Sequence, residues 1–239
     1  MKVGVKMNIL FNADDFGLTK GVTDGIIKAH SEGVVGSTTL MMNGKATDYA
    51  VEQAKHHPTL DIGIHLVLTW GKPVSQRSVS SLIDENGRFK YRSNYVETEP
   101  PNLDEVKKEW TAQIEAYLAT GLTLHHIDSH HHIHGWEPLK QIIISLAETY
   151  SVPVRYVESL KEYPNLLLTD ALWLEFYEDG VNRDIFSKLN RLDVSSVEVM
   201  THPSFVDNDL KDVSSYTEKR KEELDILTNL SVPGWVNLL

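Results

Sequence analysis

The sequence contains no cysteine. That absence removes disulfides, thiolate metal sites and cysteine nucleophiles, so a bound metal would have to rest on nitrogen and oxygen donors. There is also no apolar run approaching the roughly 18 residues that span a bilayer. The opening stretch "MKVGVKMNILFNADDFG" lacks the long apolar segment and small-residue cleavage site of a secretory leader. The expectation is a cytoplasmic, non-membrane protein, with translation beginning at Met1 or Met7. Positive charge is scarce: 23 Lys and Arg face 34 Asp and Glu, a formal net charge of −11. A chain this acidic lacks the basic footprint of a nucleic-acid binder.

What is present is an alternation of strand-like and helix-like segments. Apolar or β-branched runs at 7–13, 33–44, 60–70, 122–130, 152–157 and 195–205 read as strands. Between them, 20–33, 45–58, 102–121, 137–150, 183–192 and 216–229 read as helices. Thr19 is a candidate N-cap, as are Asn102 and Asp104 for the third helix, and Pro138 falls in the first turn of the fourth. Residues 71–101 are rich in Gly, Pro and Ser and read as a long excursion with a hairpin at "ENGR"; residues 158–182 give no clear pattern. Strands alternating with helices imply parallel βαβ units, and 239 residues suit a single α/β barrel domain spanning 1–239.

Polar clusters fall where those strands end, at the rim where α/β barrels carry chemistry. The first is "NADDFG", with Asp14 and Asp15 directly after an apolar strand. Where the chain turns, two neighbouring carboxylates can reach one site and divide the work, one holding a cation and one acting as base. The second is His65, inside "DIGIHLVLT"; a lone histidine there is more often a hydrogen-bonded core residue than a ligand. The third is "LHHIDSHHHIHGW", with six histidines and an aspartate between 125 and 134. A strand period of two places His126, Asp128, His130, His132 and His134 on one face. The other face carries His125, Ile127, Ser129, His131 and Ile133, and its isoleucines mark it as the more buried. Four histidines and an acid do not build a core, so the polar face points to metal or catalysis. The fourth is His202 in "EVMTHPSF", at a strand end fixed by Pro203 and suited to general acid work beside a metal. Asp and His donors suit a divalent ion, with Zn²⁺, Mg²⁺, Mn²⁺, Fe²⁺ and Co²⁺ all open.

"NADDFGLTKGV", "STTLMMNG", "IGIHLVLTWGKPVS", "HHIDSHHHIH" and "VEVMTHPSFVDN" occur in this order between residues 12 and 208. Together they resemble the YdjC-like carbohydrate deacetylases, the chitooligosaccharide (chitin disaccharide) deacetylases among them. The resemblance implies a distorted (β/α) TIM-like barrel, a homodimer, and metal-dependent hydrolysis of an N-acetyl group. The implied substrates are short chitin oligosaccharides such as diacetylchitobiose, free or as the 6-phosphate. It implies Asp15, His65 and His130 as metal ligands, Mg²⁺ or Zn²⁺ foremost, and Asp14 as base. His126 and Asp128 are placed to orient a ligand from behind, and His132, His134 and Trp70 to meet sugar. Trp136 could also stack on a sugar, and Lys72 could meet a phosphate. The residues alone leave room for a metal-dependent phosphatase or phosphodiesterase, and for a non-catalytic sugar- or metal-binding protein. A glycosidase built on Asp14 and Asp15 ranks low, because adjacent residues are poorly placed to flank a glycosidic bond.

Overall fold

The computed structural model describes residues 6–75 and 78–239. Of the two candidate translation starts, Met1 lies outside that range and Met7 within it. Strand β1 (Met7–Phe16) is buried along nearly all its length and is the centre of a parallel sheet. β2 (Val35–Leu40), β3 (Asp61–Leu66) and β4 (Ile127–Ser129) follow on one side. On the other side lie β6 (Ser196–Thr201) and then β5 (Ala171–Trp173), while β7 (Val236–Leu238) pairs the first residues of β1. Every pairing is parallel, as the βαβ alternation requires.

The sheet curls into a distorted TIM-like barrel. Past β4, Val154 forms a parallel bridge to Ile127 and a second to Leu167. A few residues later the same chain pairs β6 as β5. Residues 166–173 therefore touch both ends of the curl: Val154 bonds on one side, and the Asp170 amide donates to Ser196 Oγ at 2.9 Å on the other. The strand expected at 152–157 is reduced to the Val154 bridge, and the unread stretch 158–182 contains the closing segment.

The long helices lie between strands where the sequence places them. They are α1 (Lys20–Ser31), α2 (Thr47–His56), α3 (Leu103–Ala119), α4 (Lys140–Tyr150) and α7 (Glu218–Thr228), with the short α5 (Ile185–Leu189) and α6 (Asn208–Val213). Thr19 Oγ1 caps α1 by accepting the Val22 amide, and Asn102 caps α3 by accepting the Glu105 amide. Among the described residues no helix is long and apolar enough to cross a membrane.

One face of α3 does unusual work. Glu105, Glu109 and Gln113, spaced four apart, share a side of the helix. Glu109 accepts the amides of Val74 and Ser75 at 2.8 and 2.9 Å, and Glu105 accepts that of Ser81 at 2.8 Å. Gln113 bonds both backbone groups of Val67. This stripe anchors the excursion after β3, whose tip reverses at residues 84–88 beside an Ile83–Phe89 bridge, at the expected hairpin.

TIM barrels are usually filled with branched apolar side chains. This interior is polar. Asn12 bonds Ser37 and Asp14, Thr39 bonds His65 and Asp128, and Arg155 bonds Asp14, Asp128 and Glu198, all of them buried. The apolar faces of the strands turn outward to the helices instead, as where Phe11 meets Phe186 edge-on at 6.0 Å. Burial of each such side chain contributes roughly 1.5–3 kcal/mol, so the outer layer carries the hydrophobic stabilisation and the interior is left for chemistry.

Candidate metal centre and active site

At the end of β1 the chain turns through Asp15 at φ 70°, a left-handed conformation that aspartate tolerates better than most residues. The turn brings both adjacent carboxylates to the same cleft, which has a volume of about 720 Å³. Asp15 Oδ1 lies 3.4 Å from His65 Nε2 and 3.1 Å from His130 Nδ1. One donor atom from each of Asp15, His65 and His130 falls within 4.8 Å of the others. Asp15 Oδ2 accepts Arg220 Nη2 at 2.6 Å, which leaves Oδ1 turned to the histidines.

His65 Nδ1 is engaged by Asp128 Oδ1 at 2.7 Å. A carboxylate behind a ligating histidine fixes the ring and its tautomer, freeing Nε2 for a metal. Burial disfavours charge on His65, but Asp128 outweighs it and raises the imidazole to about 10 in the metal-free protein. Asp14, His65 and Asp128 form a second possible ligand group. There, however, Arg155 already engages both carboxylates, with Nη2 at 2.5 Å from Asp14 and 2.9 Å from Asp128. Asp15, His65 and His130 are therefore the better cradle. Around it, the carboxyl groups of Asp14, Asp15, Asp128 and Glu198 outnumber the two arginines they pair with, Arg155 and Arg220, a setting that favours a divalent cation. The nitrogen and oxygen donors, with three protein ligands and room for more, fit a divalent ion in an open catalytic site.

Asp14 is clamped. Its Oδ1 accepts Asn12 Nδ2 at 2.9 Å and Arg155 Nη2 at 2.5 Å, and its Oδ2 accepts Arg155 Nη1 at 2.7 Å. Burial works against its ionisation, yet the Arg155 charge and hydrogen bonds prevail and hold the carboxyl well below the usual range. Glu198, gripped by Arg155 Nε at 2.8 Å, is instead pushed up to about 7 by burial.

His202 stands at the end of β6 with its Nδ1 buried, 4.0 Å from Glu223 Oε1. Glu223 also accepts the His202 amide and the Tyr216 hydroxyl, the latter at 2.6 Å. Burial and the nearby Arg220 charge lower His202 to about 4, so it is neutral near pH 7 in the metal-free protein.

The histidine run departs from the expected alternation. β4 ends at Ser129, and residues 130–135 form tight turns with His131 and His132 at φ 56° and 54°. Two left-handed residues break the period of two, so the polar face ends near His130. His131, expected on the more buried face, is exposed, lines the cleft, and packs its ring 4.0 Å from that of His130. His132 lines the cleft with Nε2 at 3.2 Å from Met200 Sδ. His134 is buried away from the cleft lining, bonded to Ser129 Oγ at 2.6 Å. His126 is also buried outside that lining and pairs with His125 at 2.9 Å. Trp70 lines the cleft; Lys72 is exposed and does not. Trp136 is buried against Tyr91 and Tyr95, so it offers no open face to a sugar.

Arg155, Glu198, Arg220, Glu223, Tyr177 and Tyr216 escape sequence reasoning. Two of them carry a legible mark, because Arg155 in "VPVRYV" and Glu198 in "SVEVM" are single charges inside apolar strands. Arg220 and Glu223 are hidden among the many charges of "EKRKEELD".

The fold and this centre define a barrel hydrolase of the metal-dependent type, and comparison with known proteins agrees. The profile of YdjC-like proteins matches residues 8–237. A carbohydrate deacetylase of Oceanobacillus iheyensis is 58% identical over 96% of this chain and 100% of its own length. Another from Brevibacillus brevis is 42% identical, over 97% of this chain and 95% of its own. The crystal structure of a candidate cellobiose-phosphate cleavage protein from Enterococcus faecalis superposes with a TM-score of 0.86 at 36% identity, covering 94% of this chain and 91% of that one. The chain belongs to the YdjC-like family of carbohydrate deacetylases.

Proposed function

We propose that this hydrolase removes acetate from an N-acetylated amino sugar, with diacetylchitobiose or a short chitooligosaccharide, free or as the 6-phosphate, as substrate. The observation that carries the reading is the convergence of Asp15, His65 and His130 beside the clamped Asp14 in one cleft. The proposed ion is Mg²⁺ or Zn²⁺, and the proposed setting is a cytoplasmic homodimer.

When bound, a divalent cation supplies Lewis acidity, making water more acidic and the acetamide carbonyl more electrophilic. The protein supplies the proton handling. A carboxylate has about four lone-pair sites; Asn12 and Arg155 occupy three of those on Asp14, leaving one on Oδ2 to accept a proton from water. Arg155 lowers the basicity of Asp14 but fixes its direction, and orientation is a large part of such catalysis. His202 is the proposed acid for the leaving amine. Its Nδ1 is buried, so Nε2 is the nitrogen available to the cleft. Being neutral at rest, His202 must first take up a proton, and the one that water gives to Asp14 is the one the reaction supplies, so that the amine leaves with a proton derived from water. Asp128 holds His65, and Arg220 holds Asp15, in position throughout.

The test is incubation with diacetylchitobiose, its 6-phosphate and p-nitrophenyl phosphate, with metal analysis of the same preparation. Acetate release from either sugar supports the proposal. Inorganic phosphate without acetate moves the chain to phosphoryl chemistry, and tight sugar binding with no product makes it a binding protein.

A further inference from the structure

Tyr177 belongs to the segment that sequence reasoning leaves unassigned, yet it lines the cleft. It is 37% exposed, and Leu174 on the same segment is 45% exposed. Scattered surface aromatics need no explanation. What distinguishes this one is its mounting. One face of its ring is stacked on Tyr216, with centroids 4.2 Å apart and planes 25° from parallel. The Tyr216 hydroxyl is fixed in turn, donating to Glu223 at 2.6 Å and accepting the Glu178 amide at 3.2 Å. Glu178, the next residue, sits at φ 49°, a left-handed conformation that costs energy for a non-glycine and is retained mainly where surroundings enforce it. The Tyr177 ring also meets His202 in an edge-type contact, with centroids 5.6 Å apart at 64°.

The cleft is graded in depth. Asp15 and His65 are each 1% exposed, whereas Tyr177 and Leu174 stand open to solvent. An acetamide delivered to the buried centre would leave its own sugar ring above the floor and place the neighbouring ring at the mouth. There the exposed part of the Tyr177 ring offers a flat apolar surface with a polar edge. A pyranose ring has a matching character, with C–H groups on its faces and hydroxyls around its rim. A tyrosine already immobilised by stacking loses little side-chain entropy when it binds.

We propose that Tyr177, mounted on Tyr216, is the platform for the sugar ring next to the one that loses acetate, and that it sets the preference for a disaccharide over a monosaccharide. The inference rests on the amino-sugar reading of the site.

The test compares wild type, Tyr177→Ala, Tyr177→Leu and Tyr177→Phe on diacetylchitobiose and N-acetylglucosamine. Binding of diacetylchitobiose is also measured by calorimetry in the Asp14→Asn background. Loss of an aromatic platform is expected to lower the disaccharide-to-monosaccharide ratio of kcat/KM by about tenfold, through KM, with a matching tenfold loss of binding. Tyr177→Phe should retain the preference, and Tyr177→Leu, apolar but not planar, should lose it. An unchanged ratio and affinity in Tyr177→Ala, or an equal loss for both sugars in Tyr177→Ala and Tyr177→Leu, overturns the platform. If the wild-type protein neither binds nor deacetylates either sugar, the amino-sugar reading itself falls, and the platform with it.

Discussion

Arg155 grips Asp14 through both arms of its guanidinium, at 2.7 and 2.5 Å, while reaching Glu198 through Nε at 2.8 Å. A single cation thus organises three carboxyl groups inside the barrel, those of Asp14, Asp128 and Glu198, with no exposure of its own. Removing it leaves buried charge without a partner. Arg155→Met is expected to cost about 3–5 kcal/mol of stability, the usual result of breaking a buried ion pair on one side. Urea denaturation would measure this, and a loss below 1 kcal/mol would mean that the carboxylates shed their charge without it.

The division of labour between the two neighbouring aspartates can be separated by composition and rate. Asp14→Asn is expected to keep the metal and lose turnover, because Asp14 is held by Arg155 and Asn12 and not by the histidines. His65→Ala and His130→Ala are expected to lose the metal. Elemental analysis of the purified variants, alongside acetate release, decides it; near-normal turnover by Asp14→Asn would remove Asp14 as base.

Asp128 is not among the three proposed ligands, yet it holds His65 Nδ1 at 2.7 Å. Carboxylates behind a ligating histidine typically matter 10–100-fold for affinity or activity. Asp128→Asn should weaken metal binding by about that factor while leaving all three ligands in place. A competition titration against a chelating dye would show it, and unchanged affinity would show that Thr39, 3.1 Å from His65 Nδ1, suffices to orient the ring.

Glu223 gives a pH signature. Burial pushes its carboxyl up to about 8 from an ordinary 4.5, against the opposing pull of the His202 amide, Tyr216 and Arg220. The folded state therefore keeps a proton that the unfolded chain releases. Its contribution to stability is complete below about pH 4.5 and is lost as the pH rises through 8. Glu223→Gln cannot release a proton, so the metal-free variant should lose less stability than wild type between pH 5 and 8.5. Melting temperatures across that range would test this; parallel curves would place the ionisation of Glu223 at its ordinary value.

The sequence carries the parts of this fold that repeat or are capped. β1, β3 and β6 are strands rich in apolar or β-branched residues, and α1 and α3 announce themselves by Thr19 and Asn102. β5 and β7 are three residues each and owe their form to the sheet edges they meet, not to local preference. The histidine run misleads for a specific reason. Nothing in "HHHIH" signals two consecutive left-handed residues, a conformation usually marked by glycine or asparagine. Period-two reasoning pairs Asp128 with His130 but misplaces His126, which is buried outside the cleft lining, and it fails after His130. The bonds that complete the centre come from Arg155 and Arg220, distant in sequence, and only the fold brings them to Asp14 and Asp15.

Residues 166–173 fasten both ends of the curled sheet, and Tyr177 follows Trp173 by four positions. The clasp of the barrel and the lip of its cleft are thus one continuous piece of chain. A lineage that reshapes this lip to read a different sugar must do so without loosening the clasp. Altered substrate preference arising here should be accompanied by altered stability, and a graft meant to transfer preference between relatives should carry the closing residues along with the tyrosine.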